Sequence, residues 1–324
     1  MSSYLLTGAA GFIGYWVAQR LLARGDRVTG IDNLNDAYDP RLKHWRLSQL
    51  EGFPRFRFEH VDVVDRGALS EAFEAGPYDA VFHLAARAGA PASVLRPGEY
   101  ITANATGTQN VLDKCTISRV RKLVLASTSS VYGHATRLPV SEGADEGQVR
   151  SPYAASKKAA ELLAHAHHHV HGLDITVLRY FTVYGPAGRP DMSLFRFIRW
   201  IREGVPIVLH GDGTQTRDFT FVGDIARGTT RAATPLGFEV INLGSAAPVE
   251  LRAAIRLIEE CLGRRARIRQ SAIPRVDVPH TWAAIDKARL LLDWSPETAL
   301  SEGIEQMVRW YLDNRDWARR LDLT

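Results

Sequence analysis

Cysteine, long apolar runs and basic clusters are all scarce in this chain of 324 residues. Its two cysteines, Cys115 and Cys261, lie far apart without a partner motif, which argues against a disulfide framework and a zinc site. Three successive histidines, His167 to His169, would point in different directions on a helix, so we expect a solvated face rather than a metal site. Lysine and arginine exceed aspartate and glutamate only by 40 to 36. Because no long basic run or interleaved aromatics accompany this excess, an anionic small molecule is favoured over nucleic acid as the partner.

The N-terminal stretch is apolar and has no charge before Arg20, so it superficially resembles a signal peptide. It lacks the positively charged start of such a peptide, and three glycines interrupt it. The glycines and nearby polar residues also argue against a membrane span. We therefore expect a protein of the reducing cytoplasm that contacts neither a membrane nor nucleic acid.

Short β-rich runs alternate with segments of helical length from residue 3 to about residue 181. Two of the runs, DAVFHLA and KLVLAST, are almost continuously apolar, as strands buried on both faces are. The alternation predicts an α/β fold with a doubly wound parallel sheet. Beyond Gly185 the pattern becomes irregular. We therefore expect one domain over residues 1–184 and a smaller region over residues 185–324 that covers the carboxyl ends of the strands, with some segments returning to the first domain.

A glycine-rich turn joins the first predicted strand, YLLTG, to a segment with helical apolar spacing. Gly8, Gly11 and Gly14 permit a tight turn and a close approach to a pyrophosphate at the helix N-terminus, where free N–H groups favour anions. Asp32 ends the second strand. A carboxylate there can accept hydrogen bonds from the adenosine ribose hydroxyls and repel a 2′-phosphate. The pattern predicts a dinucleotide site that prefers NAD to NADP. A tight turn without a ligand is the alternative.

The segment SPYAASKKAAE places Tyr153 and Lys157 four residues apart on a helix that Ser151 and Pro152 open. This spacing puts both side chains on one helix face. A lysine cation beside a phenol lowers the phenol pKa from about 10 toward neutral pH, which makes the phenol a usable base or acid. In an arbitrary helix such a pair usually lies on the surface without a function. Here it follows the glycine-rich turn and the hydroxyl run Ser127–Ser130. We therefore expect a catalytic pair.

The motifs GAAGFIG, DNLND, HLAA, STSSVYG, YAASK and QTRDFTFV make the chain similar, over essentially its whole length, to the extended short-chain dehydrogenase/reductase family. Within that family, GIDNLNDAYDPRLKHWRL and RYFTVYGPAGRPDM resemble the UDP-glucuronate 4-epimerases most. The resemblance implies a Rossmann-like domain with tightly bound NAD and a nucleotide-sugar substrate in the C-terminal region. It also implies interconversion of UDP-glucuronate and UDP-galacturonate through a 4-keto intermediate, with transient hydride transfer to NAD.

By the same resemblance, Thr128, Tyr153 and Lys157 form the catalytic triad. Tyr153 would take the proton of the sugar 4-hydroxyl, Thr128 would hydrogen-bond the 4-oxygen, and Lys157 would also hold the nicotinamide ribose. The cofactor pocket implied by the family comprises Gly8, Gly11, Phe12, Ile13, Gly14, Asp32, Asn33, Asn35, Asp62, Val63, Leu84, Ala85, Ala86, Asn104, Tyr153, Lys157, Tyr180 and Val183. The sequence departs from the family at Ala88–Pro91, where AGAP replaces AGVR and removes a basic residue.

The residues after Thr128 separate the reactions of the family. The 4,6-dehydratases resemble TDEVYG, with an acid and a base that remove water, and the UDP-glucuronate decarboxylases resemble TSEVYG. Ser129 and Ser130 stand at those places, so the chain lacks the side chains for dehydration and for assisted decarboxylation. Arg189 in GPAGRPDM can bind a substrate carboxylate through two hydrogen bonds, with Thr182, Ser129 and Ser130 as further donors. A surface or interdomain salt bridge is the alternative for Arg189.

Arg217 in QTRDFTFV is the candidate for the substrate diphosphate, and an exposed arginine without a ligand is the alternative. Two other functions stay open at this point: a 4-epimerase of neutral UDP-hexoses or UDP-N-acetylhexosamines, and a catalytically silent NAD-binding sensor. The family also implies a homodimer in which helices around residues 98–116 and 152–171 pack against their mates.

Overall fold

The computed structural model describes residues 1–135, 137–144 and 148–323. The strands are β1 (Ser3–Thr7), β2 (Arg27–Asp32), β3 (Phe56–His60), β4 (Ala80–His83), β5 (Lys122–Thr128), β6 (Asp174–Tyr180), β7 (Thr182–Tyr184), β8 (Ile207–His210), β9 (Thr216–Arg217), β10 (Phe219–Phe221), β11 (Phe238–Leu243), β12 (Val249–Glu250) and β13 (Ile268–Ser271). The α-helices are α1 (Phe12–Ala23), α2 (Pro40–Leu50), α3 (Arg66–Glu74), α4 (Ala90–Leu95), α5 (Pro97–Ile101), α6 (Gly107–Ile117), α7 (Pro152–His171), α8 (Ser193–Glu203), α9 (Val222–Arg231), α10 (Leu251–Leu262), α11 (Asp286–Leu292), α12 (Leu300–Asp313) and α13 (Arg315–Ala318). A π-helical turn (Thr102–Thr106) joins α5 to α6, and a 3₁₀-helix (Ser129–Tyr132) follows β5.

A seven-stranded sheet forms the centre of the molecule, in the order β3-β2-β1-β4-β5-β6-β11. Every neighbouring pair is parallel. The chain order reverses between β1 and β4, and open parallel sheets bind ligands outside the carboxyl ends of the strands at such a switch point. The predicted doubly wound parallel sheet is confirmed.

The sheet is buried on both faces. All residues of β4 and all residues of β5 are buried, as their nearly continuous apolar sequences predict. Two apolar clusters cover the two faces, one around Leu6, Phe82 and Val124 and the other around Leu5 and Leu123. The sheet therefore holds the carboxyl ends of its strands in fixed positions for the loops that follow them.

Local capping sets where the helices beside this edge begin. Asp39 caps α2 by accepting from the Arg41 N–H at 3.0 Å. Ser151 caps α7 by accepting from the Ala154 N–H at 3.2 Å, and Pro152 occupies the first turn. The start of α7, and with it the Tyr153 side chain, is thus fixed by the sequence itself.

The second half of the chain contributes both to the sheet and to a separate apolar cluster. Strand β11 pairs with β6 and completes the edge of the sheet. A third cluster contains residues from α8, α10 and α12, among them Phe195, Ile255 and Tyr311. The expected division into residues 1–184 and 185–324 stays a prediction. Within the described ranges, no helix is both long and apolar enough to cross a membrane.

The histidine run near the end of α7 is not uniformly solvated. His167 is buried, and its Nε2 lies 2.7 Å from Thr116 Oγ1 on α6. His169 is exposed. Among the described residues there is no group of three or more histidine, cysteine, aspartate or glutamate side chains that could hold a metal ion. His167 therefore joins two helices rather than facing water.

Candidate active site

The backbone of the glycine-rich turn packs directly against the backbone of neighbouring segments, with no room for side chains. Gly8 has a φ of +74°, and a Cβ there would lie 2.7 Å from the backbone nitrogen of Ala85. A Cβ at Gly14 would lie 2.0 Å from the Gly8 carbonyl oxygen, so no larger residue fits. Helix α1 begins after Gly11 without a side-chain cap. Its first N–H groups therefore lack a side-chain acceptor, which suits the pyrophosphate of a dinucleotide.

Asp32 keeps one carboxylate oxygen available at the end of β2. Its Oδ1 accepts from the Leu34 N–H at 2.8 Å and lies 3.4 Å from Lys43 Nζ. No donor among the described residues reaches Oδ2, so this oxygen can accept from a ribose diol. The sequence analysis missed Lys43, which is buried and also donates to Asn35 Oδ1 at 3.2 Å. Its signal is a lysine in the first turn of the helix that follows the DNLND loop.

Three of the expected pocket residues form a hydrogen-bonded group between the loops after β2 and β3. Asn33 Nδ2 donates to Asp62 Oδ2 at 2.8 Å, and Asn33 Oδ1 accepts from Asn35 Nδ2 at 2.8 Å. Asp62 Oδ1 accepts from the Val64 N–H at 2.9 Å. The neighbouring Val63 side chain is buried against Gly107. The structure thus brings Asn33, Asn35, Asp62 and Val63 together beside Asp32.

Two other expected pocket residues have side chains engaged inside the protein. Asn104 is fully buried in the π-helical turn, where it bonds both the N–H and the carbonyl of Arg87, at 2.8 and 2.9 Å, and Ser156 Oγ at 2.8 Å. The Tyr180 hydroxyl lies 2.9 Å from Thr229 Oγ1. Asn104 therefore fixes the HLAA loop, which carries Leu84 to Ala86, against the helix of Tyr153. Only the backbone of Tyr180 is available to a ligand.

Thr128 and Tyr153 meet where β5 ends and α7 begins. The Thr128 hydroxyl lies near enough to the Tyr153 phenol to lower its pKa, and Lys157 lies buried one turn further along α7. Burial raises the pKa of the Tyr153 phenol, while the Thr128 hydroxyl and the charge of Arg189 lower it. Burial lowers the pKa of Lys157 to about 8, and Glu161 acts in the opposite direction. Arg189, which the sequence analysis assigned to the substrate carboxylate, is thus also a cation that lowers the pKa of the Tyr153 phenol.

The hydroxyl run divides into an inner and an outer part. Ser127 is buried and donates to Glu161 Oε1 on α7. Thr128 Oγ1 accepts from the Ser130 N–H at 3.2 Å and so caps the 3₁₀-helix, in which Ser129 and Ser130 are half-buried. Only the last three hydroxyls therefore lie at the carboxyl edge of the sheet. The sequence analysis did not foresee the Ser127 contact, because Glu161 is 34 residues away.

Arg189 lies close to Tyr153 but already has an acidic partner. Its Nε and Nη2 donate to the two carboxylate oxygens of Asp191 at 3.0 and 2.6 Å, and Nη2 also donates to the Ala88 carbonyl at 3.0 Å. The guanidinium lies over the Tyr38 ring at 5.5 Å. No described residue accepts from Nη1. Burial alone would lower the pKa of Arg189, but Asp191 raises it above its ordinary value, so the side chain stays cationic.

A pocket beside Arg189 is lined by residues expected at the cofactor and by residues expected at the substrate. Phe12 from the start of α1 and Thr182 and Val183 from β7 line it together with Arg189. Phe12 and Val183 were expected at the cofactor, and Thr182 at the substrate. Ile13, next to Phe12, packs against the apolar clusters.

Arg217, in contrast, already donates hydrogen bonds to protein groups through two of its three guanidinium nitrogens. Its Nη2 donates to Asp277 Oδ1 at 2.6 Å, and its Nη1 donates to the carbonyls of Thr216 and Pro279 at 2.9 and 3.1 Å. The expected diphosphate contact would therefore use Nε or require Asp277 to move.

A fully buried arginine links the glycine-rich turn to the loop that carries Arg189. Arg46 Nη1 donates to the Ala10 carbonyl at 3.0 Å, and its Nη2 donates to the Ala187 carbonyl at 2.7 Å. Nη1 also bonds the Tyr38 hydroxyl at 2.6 Å. Within the described residues no carboxylate pairs with Arg46. No local pattern in the sequence indicates this contact, because Arg46 and Ala187 are 141 residues apart.

The chain was compared with known proteins and structures. The model of the NAD dependent epimerase/dehydratase family matches residues 4–244. A UDP-glucuronate 4-epimerase of Thermodesulfobacterium geofontis is 50% identical over 315 residues, which covers 97% of each chain. The structure of UDP-glucuronic acid 4-epimerase from Bacillus cereus, solved with UDP-glucuronic acid and NAD, is 36% identical with a TM-score of 0.90, over 96% of this chain and 99% of that one.

A UDP-glucose 4-epimerase structure from Thermotoga maritima has the same TM-score, 0.90, at 27% identity, and covers 97% of this chain and 99% of its own. The fold is thus shared by epimerases of neutral and acidic sugars, whereas the sequence is more similar to the acidic-sugar enzymes. The expected family resemblance is confirmed: the chain belongs to the NAD dependent epimerase/dehydratase family.

Proposed function

We propose that this protein is an NAD-dependent epimerase that interconverts UDP-glucuronate and UDP-galacturonate by inverting C4 of the sugar. The observation that carries the proposal is the meeting of Thr128, Tyr153 and Arg189 at the carboxyl edge of the sheet, beside a hydroxyl run without a carboxylate. The relatives named above support the same reaction, since both the Thermodesulfobacterium and the Bacillus proteins are UDP-glucuronate 4-epimerases.

Tyr153 takes the proton of the sugar 4-hydroxyl and returns it to the 4-oxygen once the 4-keto sugar has turned over, so that C4 is reduced from its opposite face. Thr128, which lies beside Tyr153, holds the 4-oxygen in line with the phenol. The cationic Lys157 and Arg189 favour the phenolate that this proton transfer requires.

NAD, when bound, supplies the hydride acceptor and donor for C4. The residues present fit this cofactor: the uncapped start of α1 suits the pyrophosphate, and Oδ2 of Asp32 is available to the adenosine ribose. Asn33, Asn35 and Asp62 surround the adenosine side, and the backbone of the HLAA loop and of Val183 lies toward the nicotinamide side. Lys157 holds the nicotinamide ribose.

Arg189 is the group that recognises the sugar carboxylate. Because Asp191 occupies Nε and Nη2, we assign Nη1 to this contact, together with the hydroxyls of Thr182, Ser129 and Ser130. Asp191 keeps the guanidinium in place before the substrate arrives, which lowers the ordering cost of binding. A neutral hydroxymethyl group would not repay the desolvation of this cation, so we expect UDP-glucose to be a poor substrate.

The same contact protects the intermediate. Oxidation at C4 of a glucuronate makes a β-keto acid, which loses CO₂ readily when the bond to the carboxylate lies perpendicular to the ketone plane. Charge-assisted hydrogen bonds from Arg189 hold the carboxylate away from this alignment. The absence of acidic side chains at Ser129 and Ser130 fits this role, since a carboxylate there would repel the substrate.

Arg217 is our candidate for the substrate diphosphate, in a complex where Asp277 has released it or where Nε makes the contact. The predicted homodimer is supported by exposed apolar side chains on the helices expected at its interface, namely Ile101, Ile117, Leu162 and Val170. A cytoplasmic location fits the two free cysteines.

The test is to incubate the purified protein with UDP-glucuronate and with UDP-glucose and to identify the sugars by nuclear magnetic resonance. We expect UDP-galacturonate to form from UDP-glucuronate, with much slower turnover of UDP-glucose. Faster turnover of UDP-glucose would identify a neutral-sugar epimerase. No turnover and no transient reduced cofactor with either substrate would identify a silent NAD-binding protein.

A further inference from the structure

A buried ion pair lies behind the proposed catalytic lysine. Glu161 follows Lys157 by one turn of α7 and accepts from Arg179 of β6 through both oxygens, with Nε–Oε1 at 3.0 Å and Nη2–Oε2 at 2.7 Å. The side chains of Arg179 and Glu161 are only 3% and 6% exposed. Ser127, the residue before Thr128, donates to the same carboxylate. The pair thus connects α7 to the strand end that carries Thr128.

Glu161 of this pair acts electrostatically on the ammonium group of Lys157. The Lys157 side chain has no hydrogen bond or ion pair with any described residue. The titratable groups that face Lys157 are Tyr153 and Glu161 on its own helix and His83 on β4. His83 carries no charge at working pH, because burial and the lysine charge lower its pKa to about 3. Glu161 is therefore the group that stabilises the lysine cation in this buried place.

The charges around Glu161 oppose this effect in part. Arg179 faces Glu161 from β6. Lys158 lies about one turn before Glu161 on α7, where burial lowers its pKa and Glu161 raises it. Glu161 follows Lys157 by four residues, so the two side chains share one face of α7, and the carboxylate raises the pKa of Lys157. The two charges of the pair therefore act on Lys157 with opposite signs.

We propose that the Glu161–Arg179 pair is a positioning unit for the reaction: it holds α7 against the end of β5 and keeps Lys157 cationic in the working pH range. The inference rests on the proposed function, in which a cationic Lys157 favours the Tyr153 phenolate. A pair that served stability alone would respond in the same way to the loss of either partner. A pair that sets the charge of Lys157 responds to the two losses in opposite directions.

The experiment titrates Lys157 directly in the NAD-bound protein by carbon-13 nuclear magnetic resonance of labelled lysines. The chain has only six lysines, and the spectrum of Lys157→Arg assigns the signal. We expect Glu161→Gln to move the titration midpoint down by roughly one pH unit and Arg179→Gln to move it up by a smaller amount. The alkaline limb of the kcat profile should move with the midpoint in each variant.

The double variant Glu161→Gln/Arg179→Gln should titrate between the two single variants. Glu203→Gln is the matched control, because Glu203 also accepts from an arginine through both oxygens, with Arg315 Nε and Nη2 at 2.9 and 2.8 Å. Its midpoint for Lys157 should equal that of the wild type.

Movement of the midpoint in the same direction in both single variants, or no more movement than in the control, overturns the inference. Arg179→Gln leaves a buried carboxylate without its partner and so puts folding at risk. If Arg179→Gln does not fold, the double variant provides the test. Its Lys157 midpoint must lie above that of Glu161→Gln, and an equal or lower midpoint overturns the inference. The titration does not depend on turnover, so a wild-type protein that fails to convert UDP-glucuronate refutes the proposed function and leaves this measurement intact.

Discussion

Replacing Asp32 with alanine should turn the cofactor preference toward NADP, because the substitution removes an anion and leaves a cation. Lys43 Nζ lies 3.4 Å from Asp32 Oδ1, and both side chains are buried. In the wild type the carboxylate accepts from the ribose and repels a 2′-phosphate. In Asp32→Ala the ammonium of Lys43 remains at the same place and attracts the phosphate instead.

Two effects determine how far the cofactor preference changes: the lost hydrogen bond to the ribose and the removed repulsion of the 2′-phosphate. Hydrogen bonds to a charged group contribute about 1.5–3 kcal/mol each, so the loss of the ribose contact should weaken NAD binding about 10- to 100-fold. Two unit charges about 4 Å apart interact by about 4 kcal/mol at an effective dielectric constant of about 20. Even with half of this value lost to solvent screening, removing the repulsion should shift the ratio of NADP to NAD affinity by roughly 30-fold. Lys43 attracts the 2′-phosphate in both proteins, so its contribution is measured only when Lys43 is also replaced.

The measurement compares dissociation constants for NAD and NADP by calorimetry in three proteins: the wild type, Asp32→Ala and Asp32→Ala/Lys43→Met. The double variant should keep the weak NAD binding and lose part of the NADP gain. An unchanged ratio in Asp32→Ala would show that another acid reads the ribose. Equal ratios in the single and double variants would show that Lys43 takes no part.

Tyr153→Phe should keep the fold and bound NAD but lose turnover by about 10²–10⁴, because it removes the proton acceptor; rates within a few-fold of the wild type in a product assay would reject Tyr153 as the base. Arg189→Ala should weaken UDP-glucuronate binding and release CO₂ and a 4-keto-pentose, with much less effect on residual UDP-glucose turnover. Mass spectrometry of the products on both substrates checks this, and equal losses without decarboxylation contradict the assignment of Arg189. His83→Gln should protect the protein in acid, because burial lowers the pKa of His83 to about 3. Below about pH 6.5 the unfolded chain binds a proton that the folded wild type does not, so the wild type loses about 1.4 kcal/mol of stability for each pH unit down to about pH 3. Urea unfolding at pH 7 and pH 4 measures the difference, and an equal loss in wild type and variant would refute it.

The parts of the site that local chemistry determines could be predicted from the sequence. Gly8 is required by its positive φ and Gly14 by its contact with the Gly8 carbonyl, and Tyr153 and Lys157 share a helix face through their spacing alone. The strands β1 to β6 also follow from short apolar runs. In each case the constraint acts over a few residues, so the sequence pattern carries it.

The parts that depend on long-range pairing could not be predicted. The contact of Ser127 with Glu161 and the contact of Arg46 with Ala187 join residues far apart in the chain. Arg189 was identified by its motif, but its pairing with Asp191, only two residues away, was not, because the sequence does not show whether this acid or a ligand binds the guanidinium. Burial likewise decides the pKa of Tyr153, and burial is a property of the folded chain.

Strand β11 has a consequence for how the chain can be divided. It comes from the second half of the sequence, yet it pairs with β6 along its whole length from Phe238 to Leu243. A polypeptide that ended at Tyr184 would leave the edge of β6 open, with a row of unpaired N–H and C=O groups beside the apolar side chains of Ile175, Val177 and Leu178. Such an edge recruits strands from other molecules. Residues 1–184 produced alone would therefore self-associate through this edge.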